Sequence, residues 1–248
     1  MDAAKVSYGE RDGLATLALN MPEKLNSLST PVFEELLAHI EHLETSTDSI
    51  GCIVLRGKGR SFSAGHDLGT LTAEKPSEPA LQSKVVERLA NLPQPLIAAV
   101  HGHCYTGALE LALAADIILA SESARFADTH AKWALTPVWG LSQRLPRRVG
   151  AAKASEMMFS CRAYTGAEAA QMGLANACFA DAAFEEEVEG FARTILANSW
   201  FSLRESKRLM LETEGMTLRA GLAHEVFRTP GTGPDMQARI ASFAQRKR

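Results

Sequence analysis

The chain has 248 residues, of which 46% are hydrophobic and 22% are charged, as in an ordinary globular protein. This length suits one large domain, or a core with a small appendage. The net charge of -3 argues against nucleic acid or another polyanion as a partner of the whole surface.

Cysteine usage and the N-terminus bear on the compartment. The four cysteines, at positions 52, 104, 161 and 178, form no CxxC pair, and three of them lie in apolar runs. This pattern favours buried, reduced thiols and an intracellular protein. The first residues do not resemble a secretory signal, and no run of about 18 apolar residues could span a membrane. We therefore expect a soluble, cytoplasmic protein.

Short apolar runs that are typical of strands alternate with helical patterns in the first half of the chain. The predicted strands are Leu14–Asn20, Gly51–Arg56, Leu96–Val100 and Asp116–Ala120. The predicted helices are Pro31–Leu43, with Thr30 as its cap, Leu81–Leu92 and Gly107–Ala115. Such alternation predicts an α/β layered fold. The proline-rich segment Glu74–Ala80, directly before the predicted helix Leu81–Leu92, is predicted to be a mobile loop beside a pocket.

From Leu141 onward the pattern is mainly helical, and Asn176–Ala180 is the one further strand predicted. Predicted helices occupy Ala182–Asn198, Leu203–Glu214, Met216–Phe227 and Pro234–Arg246. We therefore divide the chain into a strand–helix core, residues 1–192, and a C-terminal helical region, residues 193–248.

Two turns that contain glycine, Ser61–Leu68 and His101–Leu111, each follow a predicted buried strand and lead toward a helix. The first amides of a helix have no partner within the helix, and they favour negative charge. Two such turns facing each other would form a site for an oxygen that gains negative charge during a reaction. Glycine in a strand-to-helix turn is also common for purely conformational reasons.

Several segments together resemble the enoyl-CoA hydratase/isomerase (crotonase) family. The segment FSAGHDL is similar to the family's F-x-A-G-x-D-L block, and AAVHGHCYTGALELALAADIILAS is similar to its second block. ALTPVWGLSQRL, MPEKLNSLS and GAEAAQMGLA resemble three further family segments. The matches run in order from about residue 22 to 149, and faintly to the C-terminus. The resemblance implies a crotonase-like spiral of β-β-α turns with a C-terminal helical region that forms a trimer or a dimer of trimers.

The resemblance also implies how a coenzyme A (CoA) thioester is held. The backbone N–H groups of His66 and Gly107 correspond to the family's oxyanion hole, although Thr106 and Ala108 replace two usual glycines. Substrate- and CoA-binding positions correspond to Lys24, Leu25, Ala64, Gly65, Asp67, Leu68, Trp133, Phe243 and Arg246. In the family, the last two reach the CoA of a neighbouring subunit. Trp133, three residues after His130, is expected to shape the acyl pocket, although a lone tryptophan is more often a core residue.

Two positions decide the reaction. Glu110 matches the family's first catalytic glutamate, and its almost wholly apolar neighbours favour catalysis over a plain helix-start carboxylate. The second glutamate position holds His130, whose imidazole can exchange a proton near neutral pH. The alternative is that His130 only lines the pocket, while Asp128 or a water takes the second role.

The leading function is therefore hydration of a trans-2-enoyl-CoA to a 3-hydroxyacyl-CoA. Double-bond isomerisation is the close alternative, followed by other reactions of the family, such as hydrolysis or decarboxylation. A non-catalytic acyl-CoA-binding or RNA-associated scaffold is a third possibility, which the retained Glu110 disfavours. We expect no cofactor apart from the CoA of the substrate, no metal, and no nucleic-acid or membrane partner. A nucleotide loop is disfavoured because residues 57–65 lack both GxGxxG and a GKS or GKT ending. His101 and His103 lack nearby Asp or Cys partners for a metal, and Ser63, His66 and Asp67 lie too close together for a catalytic triad.

Overall fold

The structure is a computed structural model that describes residues 4–66, 69 and 80–246, with the backbone alone at Arg246. Asp67, Leu68 and all but the last residue of the predicted loop Glu74–Ala80 lie outside the described residues.

Nine strands form two sheets in the described part of the chain. They are β1 (Val6–Arg11), β2 (Leu14–Leu19), β3 (Cys52–Gly57), β4 (Leu96–Val100), β5 (His103–Tyr105), β6 (Ile117–Ser121), β7 (Arg125–Ala127), β8 (Tyr164–Thr165) and β9 (Ala177–Phe179). The larger sheet has the order β1-β2-β3-β4-β6-β9, and the smaller has the order β5-β7-β8. In the larger sheet only the pair β1–β2 is antiparallel.

Ten α-helices are described. They are α1 (Thr30–Thr45), α2 (Leu81–Ala90), α3 (Gly107–Ala112), α4 (Leu141–Val149), α5 (Ala151–Ser160), α6 (Gly166–Gln171), α7 (Phe184–Leu196), α8 (Trp200–Glu212), α9 (Leu218–Arg228) and α10 (Met236–Arg246). Short 3-10 helices occupy Pro22–Lys24 and His130–Trp133. The longest and most strongly periodic predicted helices are found within a few residues of their predicted ends.

Helices cover both faces of the larger sheet, which explains the continuous apolar runs of its central strands. Helix α1 buries a stripe from Val32 to Leu43 in the main core, together with the apolar side of α2. On the opposite face, Phe184, Val188 and Ala192 of α7 pack against β3, β4 and β6. Because β3 and β4 are parallel and adjacent, the turns that follow them meet at one edge of the sheet.

The predicted mixed α/β fold is confirmed, with differences in detail. Helix α1 begins at Thr30, and Ser29 occupies the flanking cap position, one residue earlier than predicted. The predicted helix Gly107–Ala115 ends at Ala112. Strands β5, β7 and β8, of two or three residues each, were not predicted because such short segments show no periodicity.

The cysteine prediction is met by three of the four thiols. Cys52, Cys104 and Cys161 are buried, whereas Cys178 is half-buried, and all four are free. No helix in the described residues is long and apolar enough to cross a membrane.

Candidate active site

A cavity of about 730 Å³ lies where the turns after β3 and β4 meet. Several residues singled out from the sequence line it, namely Lys24, Ala64, His66, Gly107, Glu110, His130 and Trp133. They come from four separate stretches of the chain, so the parallel sheet brings them together.

The first turn, which follows β3, touches the second turn directly. Gly65 has a φ of 95°, and a Cβ atom placed on it would lie 2.5 Å from the carbonyl oxygen of Tyr105 and 3.7 Å from the nitrogen of Gly107. Only glycine fits both that dihedral angle and that contact. Ser63 stabilises the turn, because its Oγ accepts the N–H of Gly65 at 3.1 Å. The residues on either side of Gly65, Ala64 and His66, both line the cavity.

Asn26 is a structural residue of this site that the sequence analysis did not single out. It is buried, and its Oδ1 accepts the N–H of Met21 at 2.8 Å. Its Nδ2 donates to the carbonyl oxygens of Lys58 and Ser61, at 2.9 and 2.8 Å. Asn26 thereby ties the segment of Lys24 to the first turn. The signal was present in the quoted segment MPEKLNSLS, where an asparagine stands among turn-forming residues.

Leu25 supports the site through its backbone and is not among the cavity-lining residues. Its φ of 52° places it in the left-handed region, and its carbonyl oxygen accepts the N–H of Ala64 at 2.9 Å. Gly65 is likewise a turn residue behind the wall of the cavity.

The second turn carries an unusual backbone at Thr106, whose φ and ψ are 53° and -107°. Such angles are costly for a residue with a branched Cβ. Two hydrogen bonds hold Thr106 there: its Oγ1 lies 2.6 Å from Oγ1 of Thr129 and accepts the N–H of Thr129 at 3.0 Å. The strained turn is thus tied to the segment that carries His130. Both threonines line the cavity, and neither was predicted to take part.

Gly107 begins α3 and lies against Trp139, another residue that the sequence analysis missed. A Cβ atom at Gly107 would come within 2.4 Å of the Trp139 ring. The ring also contacts Phe33 edge-on, with centroids 4.9 Å apart, and lies 5.5 Å from the His66 ring. Trp139 therefore closes the inner wall of the cavity around the two turns.

Glu110 is almost completely buried, with 1% of its surface exposed, and it is held by backbone donors. Its Oε1 accepts the N–H groups of Trp139 and Leu141, at 2.9 and 3.1 Å. These bonds satisfy one carboxylate oxygen and leave Oε2 on the side of His130. The loop that supplies the two amides is itself held, because Arg144 donates to the carbonyl oxygen of Trp139 at 2.9 Å.

Burial raises the pKa of the Glu110 carboxyl above its ordinary value, because a buried carboxylate is poorly solvated. The amides of Leu141 and Trp139 and the nearby His130 oppose the rise in this pKa, while Asp128 adds to it. A carboxyl whose pKa lies nearer neutrality is better suited to accept and return a proton.

His130 faces Glu110 across the cavity. Its Nε2 lies 3.9 Å from Oε2 of Glu110, and its Nδ1 lies 2.6 Å from Oδ1 of Asp128. His130 is 7% exposed and lines the cavity, whereas Asp128 is 1% exposed and is not among the lining residues. Position therefore favours His130 over Asp128 as the second acid/base group, because His130 lines the cavity and Asp128 does not.

The outer part of the cavity is apolar and open to solvent. Trp133 is 56% exposed and Val138 is 67% exposed, and both line the cavity beside Leu135. Trp133 is therefore a rim residue, and the alternative that it belongs to the core is excluded by its exposure.

The structure does not bring Phe243, one of the two predicted C-terminal residues, into this cavity. Phe243 lies on α10, is 60% exposed, and is not among the lining residues. Arg246 is the last residue of α10.

Within the described residues, no group of three or more His, Cys, Asp or Glu side chains is arranged to hold a metal ion.

Comparison with known proteins shows what the chain resembles. A profile of the enoyl-CoA hydratase/isomerase family matches residues 9–247. The 2,3-dehydroadipyl-CoA hydratase of Escherichia coli is 33% identical over 93% of this chain and 92% of its own length. The 1,2-epoxyphenylacetyl-CoA isomerase of the same organism is 30% identical over 95% and 93%. The crystal structure of an enoyl-CoA hydratase from Bacillus anthracis superposes with a TM-score of 0.93, at 27% identity, and covers 98% of this chain and 96% of that one.

Proposed function

Because this chain belongs to the enoyl-CoA hydratase/isomerase family, we propose that it adds water to a trans-2-enoyl-CoA to give a 3-hydroxyacyl-CoA. Relatives of similar identity carry both hydratase and isomerase names, so the choice between the two reactions depends on the site itself.

The observation that carries the proposal is the pairing of two proton-transfer groups in one cavity. Oε2 of Glu110 and Nε2 of His130 are 3.9 Å apart. A water oxygen about 2.8 Å from both atoms would complete hydrogen bonds to each of them. Hydration needs a group that takes a proton from water and a group that supplies one to carbon. Isomerisation can proceed with a single base and no water.

In the proposed reaction, Glu110 takes a proton from the water as its oxygen bonds to C3 of the enoyl group. The electron pair of the C2–C3 double bond moves to the thioester, which becomes an enolate. The enolate collapses as C2 takes a proton from protonated His130, and a proton passes from Glu110 back to His130. Water has then been added across the bond with no change in the protonation of the protein.

The enolate oxygen is assigned to the backbone N–H groups of His66 and Gly107. Two facts support this assignment: both residues line the cavity, and the turns that carry them are in contact at Gly65. Donors that are already in place stabilise developing negative charge without reorganisation. We assign the CoA moiety to the side of Lys24 and Ala64, with Asp67 and Leu68 of the first turn as further candidates.

Two further features of the assembly are proposed. The apolar faces of α9 and α10 suit a trimer or a dimer of trimers, in which Phe243 and Arg246 reach the CoA of a neighbouring subunit. The reaction as written needs no cofactor beyond the CoA of the substrate.

Isomerisation of a 3-enoyl-CoA is the second candidate, because the family to which this chain belongs includes isomerases as well as hydratases. Glu110 alone could move a proton between two carbons while the enolate is held.

Side-by-side assays with 2-enoyl-CoA and 3-enoyl-CoA separate the two reactions. Hydration removes the absorbance of the conjugated enoyl thioester and adds the mass of one water. Isomerisation of the 3-enoyl substrate creates the same absorbance with no change in mass. The proposal of a hydratase would be wrong if the protein converts 3-enoyl-CoA but adds water to no 2-enoyl-CoA in a series of chain lengths. The protein would then be an isomerase. The two substrates together therefore decide between the candidates.

A further inference from the structure

Asp128 takes part in no step of the proposed reaction, yet it lies in direct contact with a residue that does. It follows β7 immediately, it is 1% exposed, and its Oδ1 is 2.6 Å from Nδ1 of His130. We infer that Asp128 is a positioning residue, which holds the His130 ring in one orientation and one tautomer, with Nδ1 protonated and Nε2 directed toward Glu110. The catalytic consequence of this inference rests on the proposed function, whereas the tautomer does not.

The hydrogen bonds define which atom donates. Oδ1 of Asp128 also accepts the backbone N–H of His130, at 3.1 Å. Because an ionised carboxylate has only acceptors, the ring nitrogen beside it must donate. A neutral imidazole carries one proton, so a proton on Nδ1 leaves Nε2 as an acceptor. When the ring is charged, the same geometry makes Nε2 the atom that can give its proton to the cavity.

The ring is held between two carboxyl groups that come from different elements. Asp128 precedes the 3-10 helix His130–Trp133, and Glu110 lies on α3. Nδ1 is 2.6 Å from the first carboxyl and Nε2 is 3.9 Å from the second, so the closer contact sets the orientation and the longer one leaves room for the reacting atoms. Asp128 thereby fixes which ring nitrogen of His130 faces the reacting atoms.

Asp128 cannot readily exchange protons with the substrate directly. It is 1% exposed and not among the cavity-lining residues, and its Oδ1 is bonded to the His130 ring and to the His130 backbone. Its route to the reacting atoms therefore passes through His130, which distinguishes positioning from acid/base catalysis.

The test combines nuclear magnetic resonance of the ¹⁵N-labelled histidines with kinetics, on the full-length protein. The His130 signals are identified by their disappearance in His130→Gln. In the wild type without ligand, we expect a proton on Nδ1 in a strong hydrogen bond. In Asp128→Asn, we expect that signal to be lost, and kcat for a trans-2-enoyl-CoA to fall about 10²-fold with KM changed only a few fold. Asp128→Glu, which keeps the anion, should recover part of kcat.

Asp116→Asn is the matched control. Asp116 also accepts a backbone N–H, that of Leu96 at 2.7 Å, and pairs with Lys207, but it is not among the cavity-lining residues. This variant should lose stability while the His130 signal and kcat stay as in the wild type.

Two results would overturn the inference. One is a wild-type spectrum with the proton on Nε2 and none on Nδ1, which needs no variant to fold. The other is an Asp128→Asn enzyme with kcat within about twofold of the wild type. A protein that hydrates no enoyl-CoA, but shows the expected tautomer, would contradict the proposed function and leave the positioning role of Asp128 intact.

Discussion

The cavity wall and the last two helices, α9 and α10, differ in how their side chains are packed within the chain. Around the cavity, Glu110 accepts hydrogen bonds from two backbone N–H groups. The ring of His130 is hydrogen-bonded to Asp128, and the side chain of Thr106 is hydrogen-bonded to that of Thr129. Along α9 and α10, large apolar side chains face outward, and Leu218 and Phe227 are 80% and 86% exposed.

The difference shows which features are fully formed within a single chain. The proposed acid/base pair, Glu110 and His130, is positioned by contacts within one chain, so its geometry is available to a monomer. The C-terminal helices leave apolar area that one chain does not cover, and burying such area is favourable by about 25 cal/mol per Å². Chemistry and assembly can therefore be perturbed separately, and the following predictions do so in order of decreasing effect.

Glu110→Gln should have the largest effect on activity. Glutamine keeps an oxygen for the N–H groups of Trp139 and Leu141, so the fold and CoA binding should be retained. Without a base, turnover of both 2-enoyl and 3-enoyl substrates should fall by about 10²-fold or more. Steady-state kinetics measure the loss. The control is Glu156→Gln, at a surface carboxylate of α5, and near-normal turnover of Glu110→Gln would refute the mechanism.

His130→Gln should affect one reaction more than the other. Hydration should fall by about 10²-fold, because the second proton-transfer group is lost. Isomerisation should be affected much less, since Glu110 alone can serve it. The ratio of the two rates, measured on the same preparation, is the readout. Equal loss of both reactions would show that His130 shapes the cavity without the selective role proposed for it.

Phe227→Glu tests the other region. A charge on this exposed face should prevent subunits from packing there and shift the sedimentation profile toward smaller species. If a neighbour's Phe243 and Arg246 help to bind CoA, CoA affinity should weaken by roughly tenfold. Phe159→Glu, at another highly exposed aromatic residue, on α5, is the control. An unchanged mass together with unchanged affinity would rule out a role for α9 in assembly.

Gly107→Ala should act through packing as well as chemistry. The added methyl group would lie 2.4 Å from the Trp139 ring, so we expect a loss of about 1–3 kcal/mol in the free energy of unfolding. Combining it with Trp139→Leu should recover part of that loss, because space is made for the methyl group. Denaturant unfolding of the two single variants and the double variant measures the coupling. If the changes in the free energy of unfolding are strictly additive, the methyl group and the Trp139 ring are not in steric conflict.

The pH dependence of hydration should reflect the raised pKa of Glu110, with no residue changed. A base acts when it is deprotonated, so lowering the pH through that pKa should reduce the rate by up to about tenfold per pH unit. Because burial raises the pKa, the fall should begin at a higher pH than for an ordinary glutamate. A kcat profile at saturating substrate tests this. A rate that stays constant down to the ordinary glutamate pKa would contradict Glu110 as the base.

Much of the fold could be predicted from the sequence because its signals are local. The run Leu96–Val100 is wholly apolar and is a central strand, and the stripe in Thr30–Thr45 recurs with the helical period. The short strands β5, β7 and β8 could not be predicted, because only pairing with each other defines them.

The sequence by itself determined the residue types at the site: the order of the quoted segments indicated the family, and Glu110, His130, His66 and Gly107 were singled out by position. Only the tertiary structure decided which atoms meet. The clamp on Glu110 comes from residues 29 and 31 positions later in the chain, and the bonds of Asn26 reach Lys58 and Ser61. The distinction between His130 and Asp128 likewise required the tertiary structure, because His130 lines the cavity and Asp128, two positions earlier, does not. Spacing along a chain constrains neighbours within a turn, whereas contacts between turns depend on how parallel strands align their ends.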